Sequence, residues 1–174
     1  RKLQEQADTC SILCEISNNI KQNGWVWKIP QECYETAVKN TQGQILTVDG
    51  ELKLVPYHEI SAGETRDGEE AFHDSQYAYL KSVDSSADKD AAEYLSSTYV
   101  SEQQLPKELM ISLRDKRGYV QSLMADDNIL EGTAFASGMG IASPAFSMQK
   151  LDGRIRFLSK GKGHGLGFSQ YGGD

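Results

Sequence analysis

Between residues 161 and 172 the chain reads Gly-Lys-Gly-His-Gly-Leu-Gly-Phe-Ser-Gln-Tyr-Gly, and no other stretch limits the possible folds so sharply. Glycine at this density costs a folding chain much backbone entropy. Such a run is kept where positive φ is needed, or where backbone must approach a neighbour with no Cβ in the way. Set into it are a histidine, a serine, a glutamine and a tyrosine: His164, Ser169, Gln170 and Tyr171. A tight turn holding one structural histidine is the plain alternative. A phosphate loop is excluded, because the Gly-Lys-Ser/Thr ending is missing and no nucleotide-binding βαβ pattern surrounds the run.

The rest of the chain is ordinary enough to build one core around that run. It has 174 residues, 39% hydrophobic and 25% charged, which suits a single globular domain. The net charge of -7, with scattered basic residues, argues against nucleic acid as a partner, since phosphate binding needs a concentrated basic surface. No apolar run approaches the length of a membrane span, and no signal peptide opens the chain. The sequence starts inside a helical pattern and stops just past the glycine run. One domain over residues 1–174, cut at both ends, is therefore expected, with any leader or anchor in a segment outside the chain.

Leu3, Ala7, Cys10, Cys14, Ile16 and Ile20 recur at helical spacing and predict an amphipathic helix over residues 3–21. Trp25-Val26-Trp27 reads as a short strand and residues 32–40 as a short helix. Residues 44–48 and 51–60 read as hairpin strands about Asp49-Gly50, a turn that wants positive φ at both central positions. Pro56 puts the second strand at a sheet edge. Residues 61–70 are polar and turn-rich, and residues 79–83 read as a third strand. Ser101-Glu102-Gln103-Gln104 has the form of a capping box and predicts a helix to Leu113. A strand over 118–124, a turn at 126–128, a helix over 132–139 and a hairpin of 146–151 with 154–159 about Asp152-Gly153 complete the pattern. The expected fold is α+β: antiparallel hairpins with several packed helices and a substrate cleft.

Three cysteines exclude complete internal disulfide pairing. Cys10 and Cys14 share a helix face, and buried small apolar residues are the favoured reading. The sharper alternative is a structural zinc on Cys10, Cys14, His58 and His73, with Cys33 and His164 as further ligands. Elsewhere, His58 stands at a strand end before Glu59-Ile60-Ser61-Ala62-Gly63-Glu64-Thr65, a polar turn of the kind that lines clefts. A satisfied structural histidine is nearly as good a reading. On a strand, Tyr79, Lys81 and Val83 would share one face. A tyrosine and a lysine there suit a polar substrate, and an edge strand guarded by a lysine is the bland alternative.

Residues 161–172 resemble the signature near the end of the stage II sporulation protein D family, also known as amidase enhancers. That signature runs glycine, aromatic, Gly-His-Gly, any, Gly, any, Ser-Gln, any, Gly, and here Lys162 takes the aromatic slot. Residues 57–65 resemble the family's Phe-His-Ser-x-Ser-Gly-Gly-x-Thr stretch, with Glu59 and Ala62 as departures. Tyr79-Leu80-Lys81-Ser82-Val83 resembles its Tyr-Leu-Lys-Ser-Val stretch, and residues 37–46 fit the segment before its first hairpin. Order and rough spacing agree over nearly the whole chain.

The resemblance implies a lytic transglycosylase that cuts peptidoglycan glycan strands between N-acetylmuramic acid and N-acetylglucosamine, preferring strands without stem peptides. It implies no cofactor and an extracytoplasmic setting in sporulation, at the cell wall or anchored to a membrane. A cell-wall amidase or endopeptidase of the sporulation machinery is the protein partner it suggests. Tyr79 and Lys81 are the implied catalytic residues. His58, Ser61, Glu64, His164, Ser169, Gln170 and Tyr171 are expected in or under the cleft as substrate-binding residues. In the family one glutamate is acid and then base, ahead of a Leu-Lys-Ala-Gln-Ala helix that Leu3-Gln4-Glu5-Gln6-Ala7 resembles. Ser11 occupies the position of the family's active-site arginine, which keeps a catalytically degenerate glycan-binding or amidase-activating module as the alternative. The full gene is expected to encode a glutamate within about one to three helical turns, of 3.6 residues each, before Arg1. Sequencing upstream checks this, and the absence of any acid there would favour the alternative.

Overall fold

A computed structural model describes residues 31–173. The helix expected over 3–21, the strand expected at 25–27, Cys10, Cys14 and Ser11 lie outside the described residues. The chain divides into two compact units, Arg1–Ile45 and Leu46–Asp174. The first contains α1 (Gln31–Asn40), close to the expected helix. Glu32 in its first turn and Lys39 in its last carry the signs that the helix dipole favours.

The second unit holds β1 (Tyr57–His58), α2 (Gly68–Phe72), β2 (Leu95–Ser101), β3 (Leu109–Arg114), β4 (Val120–Ala125), β5 (Asn128–Glu131), α3 (Gly132–Gly138), β6 (Phe146–Leu151), β7 (Arg154–Lys160) and β8 (Phe168–Ser169). Short 3-10 turns at Ser75–Tyr77, Ser86–Asp90 and Glu102–Gln104 connect them. One antiparallel sheet has the order β2-β7-β6 and another β3-β4-β5, while β1 and β8 form a two-residue parallel pair. The class is α+β, as expected. The hairpin about Asp152-Gly153 is in place as β6–β7, with Leu151 facing Arg154 and Gly153 at φ 68°.

The core draws on both three-stranded sheets and α3. Val100, Val120, Leu123, Phe135, Ala136, Ile141, Phe146 and Phe157 form one buried cluster. Phe146 and Phe157 meet edge to face at 5.6 Å, and Phe135 lies 6.0 and 5.8 Å from them, separations that suit aromatic quadrupoles. Helix α3 opens under a cap: Glu131 accepts from the backbone N–H groups of Thr133 and Ala134. Gly132 is required there, because a Cβ would overlap the carbonyl of Val120.

Three expectations are corrected. The capping signal at Ser101 is real, since its Oγ accepts from Gln103 N–H, but it starts only the turn Glu102–Gln104 and no helix to Leu113. Pro106 has no N–H and drives the preceding residue extended. Beyond it, residues 109–114 pair with β4 as a strand. The second correction concerns the first hairpin. Asp49 and Gly50 do turn with φ of 53° and 78°, yet pairing stops at the single bridge of Val48 with Glu51. Leu52, Leu54 and Val55 stay exposed, and an uncovered two-stranded ribbon has little to hold it. Third, residues 79–83 are not a strand. Thr65 holds them instead: its N–H donates to the Val83 carbonyl at 2.9 Å, its Oγ1 accepts from Val83 N–H at 2.9 Å, and its carbonyl accepts from Ser82 Oγ at 2.6 Å. A threonine side chain substitutes for one rung of a ladder, so the alternation of faces expected of Tyr79, Lys81 and Val83 does not apply.

Phe157→Ala should cost about 3–5 kcal/mol through lost burial and the cavity left behind. Ile129→Ala, at a side chain 75% exposed, should stay within about 0.5 kcal/mol. Urea titration of both variants checks the placement of the core, and comparable losses would contradict it.

Candidate functional site

The glycine run doubles back along residues 56–61. Ile60 N–H donates to the Lys162 carbonyl at 3.1 Å, and the Ile60 carbonyl accepts from Lys162 N–H at 2.7 Å. Phe168 N–H reaches the Pro56 carbonyl at 3.0 Å, Gln170 N–H the His58 carbonyl at 2.9 Å and Tyr171 N–H the Glu59 carbonyl at 3.1 Å. Two positions show why glycine is demanded. Gly165, at φ 78°, lies on the ring of Tyr119, which a Cβ would approach to 2.5 Å; at Gly167, with φ 72°, a Cβ would overlap the Pro56 carbonyl oxygen.

Both histidines are fixed in this crossing. His58 is buried, and its Nδ1 lies 3.1 Å from the Leu166 carbonyl, so that nitrogen carries the hydrogen. Its Nε2 is buried without a hydrogen-bond partner among the described residues. His164 Nδ1 accepts from Leu166 N–H at 3.0 Å, and the same ring bonds the Tyr57 backbone. The two rings stand 5.8 Å apart. Burial pushes both imidazoles below their ordinary pKa; His164 adds to this at His58, and the Arg66 guanidinium adds to it at His164. Each is held neutral, with a set tautomer.

Beneath them lie four residues that sequence reasoning missed. Asp88 is fully buried, and its Oδ2 accepts from Ser61 N–H and from Ser169 Oγ, each at 2.6 Å. It thus ties the turn after β1 to β8. Tyr119 is fully buried, donates its phenol hydrogen to the Glu64 carbonyl at 3.1 Å and accepts from Ala62 N–H at 2.9 Å. Burial pushes its pKa up to about 12, so it acts only as a neutral hydrogen-bonding post. Arg66 and Asp115 form an ion pair at 2.8 Å with both side chains buried. Arg66 also donates to Thr133 Oγ1, and Asp115 also accepts from the N–H groups of Arg117 and Tyr119. The bonds of Asp88, Arg66 and the Tyr119 hydroxyl reach partners dozens of residues away, as does the ion pair of Asp115 with Arg66, so no local spacing marks them.

The predicted site residues divide into two sets. His58, Ser61 and Ser169 are buried, and Ser61 Oγ is occupied by Gly63 N–H; these build the floor. Glu64, Gln170, Tyr171 and Lys81 are exposed, and Tyr79 and His164 are part-buried. Tyr79 donates its hydroxyl hydrogen to the Leu54 carbonyl at 2.8 Å, and Lys81 N–H donates to the Tyr79 carbonyl at 3.0 Å. Glu64 pairs with Arg117 at 2.8 Å. Arg66 is too deeply committed to take the place of an active-site arginine. Among the described residues no group of three or more His, Cys, Asp or Glu side chains is placed to hold a metal; His73 ends α2 at φ 54°, and Cys33 is exposed on α1.

The crossing thus carries its glycine signature together with one buried histidine, His58, and one part-buried histidine, His164. No protein-family model matches the chain. Over the matched stretch the chain belongs to the stage II sporulation protein D family. It is 31% identical over 147 residues to stage II sporulation protein D of Bacillus amyloliquefaciens, covering 78% of this chain and 42% of that protein. It is 27% identical over 163 residues to stage II sporulation protein D of Bacillus subtilis (strain 168), covering 87% of this chain and 47% of that protein. The chain spans less than half the length of these relatives.

The depressed histidines set a pH dependence. Their native pKa values lie below the 6.5 of a free imidazole, so as pH falls the unfolded chain takes up protons there first. Stability from these groups is complete above about pH 6.5 and declines as pH drops through the interval towards the native values. Thermal melts between about pH 7.5 and 5 should show this decline, and a well-folded His164→Gln variant should show a flatter one. Identical slopes would remove His164 from the account.

Proposed function

We propose that this chain is part of a peptidoglycan lytic transglycosylase acting in sporulation, in an extracytoplasmic setting. It would cut the bond between N-acetylmuramic acid and N-acetylglucosamine in strands without stem peptides. Family membership supports a cell-wall role linked to sporulation. The observation that carries the finer reading is the setting of Tyr79 and Lys81. Both stand just ahead of Ser82 and Val83, which Thr65 holds through the Ser82 hydroxyl and the Val83 backbone, and Lys81 reaches solvent. Side chains presented from a clamped backbone are pre-organised for a substrate.

In this reading a glutamate upstream protonates the leaving glycosidic oxygen and then accepts the proton of the muramic acid C6 hydroxyl as that oxygen closes the 1,6-anhydro ring. One carboxyl suffices because the nucleophile belongs to the substrate; ordinary glycosidases need two. Lys81 supplies an ammonium to sugar oxygens that gain charge in the transition state. Tyr79 has given its hydrogen to Leu54, which leaves its oxygen to accept from a sugar hydroxyl. His58 and His164, neutral and committed to backbone, keep the crossing in shape. Neither step needs a cofactor or metal. A cell-wall amidase that strips stem peptides is the natural partner, since it would make the substrate. Among the described residues no helix is long and apolar enough to cross a membrane.

Ser11, where the family has an arginine, favours a second reading: a glycan-binding or amidase-activating module without turnover. Products decide between the two. Incubation of the full-length protein with amidase-stripped glycan should give fragments ending in 1,6-anhydromuramic acid, lighter by one water than hydrolysis products in mass spectrometry. Lys81→Ala should lower turnover by about 10²-fold or more with an unchanged melting temperature. Binding without turnover in the wild type would establish the second reading, and full activity in the variant would take Lys81 out of the site.

A further inference from the structure

A shallow depression is lined by Ala62, Gly63, Glu64, Lys89, Lys116 and Arg117. It gathers three cations against one acid in a protein of net charge -7. Glu64 balances only Arg117, at 2.8 Å. Lys89 and Lys116 have no ion pair among the described residues. The site has built features. Lys89 lies across Gly63, where a Cβ would overlap Lys89 Cε, and Gly63 sits at φ 106°. A side chain at position 63 would therefore push the ammonium away. The Arg117 guanidinium donates through Nε to Ser82 Oγ at 2.8 Å. Ser82 follows Lys81 in the chain, so the basic depression and the proposed catalytic lysine are one hydrogen bond and one peptide apart.

We infer that this depression binds the free lactyl carboxylate of a muramic acid that has lost its stem peptide. The inference rests on the proposed glycan substrate and adds the residues that choose among strands. Hydroxyl and N-acetyl groups carry no charge, so the lactyl ether is where a stripped strand presents an anion. A stem peptide turns that carboxylate into a neutral amide and adds bulk over the same spot. An open, shallow site with two uncompensated ammonium groups accepts the small anion and gains nothing from the amide. Exposed charge pairs are weak and screened by salt, so these lysines contribute discrimination more than affinity.

The test uses the full-length protein and fluorescently end-labelled glycan, either amidase-stripped or with the same carboxylates converted to methylamides. Binding is read by anisotropy before turnover, at low and high salt. The wild type should bind the carboxylate form several-fold more tightly, with the preference shrinking as salt rises. A Lys89→Gln/Lys116→Gln variant with an unchanged melting temperature should bind both forms alike, and the methylamide form as the wild type does. Equal binding of the two forms by the wild type, or a preference that survives in the variant, would overturn this inference and leave the proposed function standing. Failure of the wild type to bind either form would overturn both.

Discussion

The ring of Tyr119 lies against the bare backbone of Gly165, and the rest of the site depends on that contact. Tyr119 precedes β4 and belongs to the sheet side of the molecule, while Gly165 is at the centre of the glycine run. The phenol reaches past the contact to hold Ala62 and Glu64, and the Arg66 guanidinium stands 5.3 Å from the ring centre. One aromatic side chain thereby joins three segments far apart in the chain. Its hydroxyl is buried but has both a donor and an acceptor partner, so burial carries no unsatisfied polar cost.

Around this post the interior is unusually polar. The Arg66–Asp115 pair is deeply buried, and such pairs add little net stability over an apolar equivalent. Breaking one is another matter, since the orphaned charge costs about 3–5 kcal/mol. The pair is better understood as fixing position: Asp115 holds Arg66, Arg117 and Tyr119 in one arrangement. Asp88 does the same for Ser61 and Ser169, although its Oδ1 stays buried without a partner among the described residues. The floor beneath the exposed residues is thus held by directed hydrogen bonds more than by apolar packing, which is concentrated on the Phe135, Phe146 and Phe157 side.

What was legible in the sequence was local. Helix α1, helix α3, the β6–β7 hairpin, strand β4 and the Asp49-Gly50 turn each announce themselves within a few residues, through periodicity or turn chemistry. The glycine run announced a close backbone crossing, and that is what it makes. The misreadings arose where a distant residue decided the outcome. A real capping signal at Ser101 was cut short by Pro106 and by the pairing offered by β4. Residues 79–83 look like a strand because the rung that holds them is the Thr65 side chain, which no pattern around Tyr79 reveals. Asp88, Arg66, Asp115 and Tyr119 were invisible for the same reason, since each takes its meaning from partners across the fold.

The crossing has an evolutionary corollary. In residues 161–167 the odd positions are glycine, and the path of the chain is set by backbone alone. The even positions then divide by what they face. His164 and Leu166 point into the floor, with Leu166 buried, and are bound to it. Lys162 bridges Glu59 at 2.8 Å and Glu93 at 3.2 Å near the surface. Its identity contributes nothing to the path of the loop, because its carbonyl and N–H make the bonds to Ile60. A lysine can therefore stand in an aromatic slot without moving the backbone around it. The rim can drift in chemistry while the track beneath it stays the same, and the surface character of a homologue is best read from position 162 rather than from the glycines that frame it.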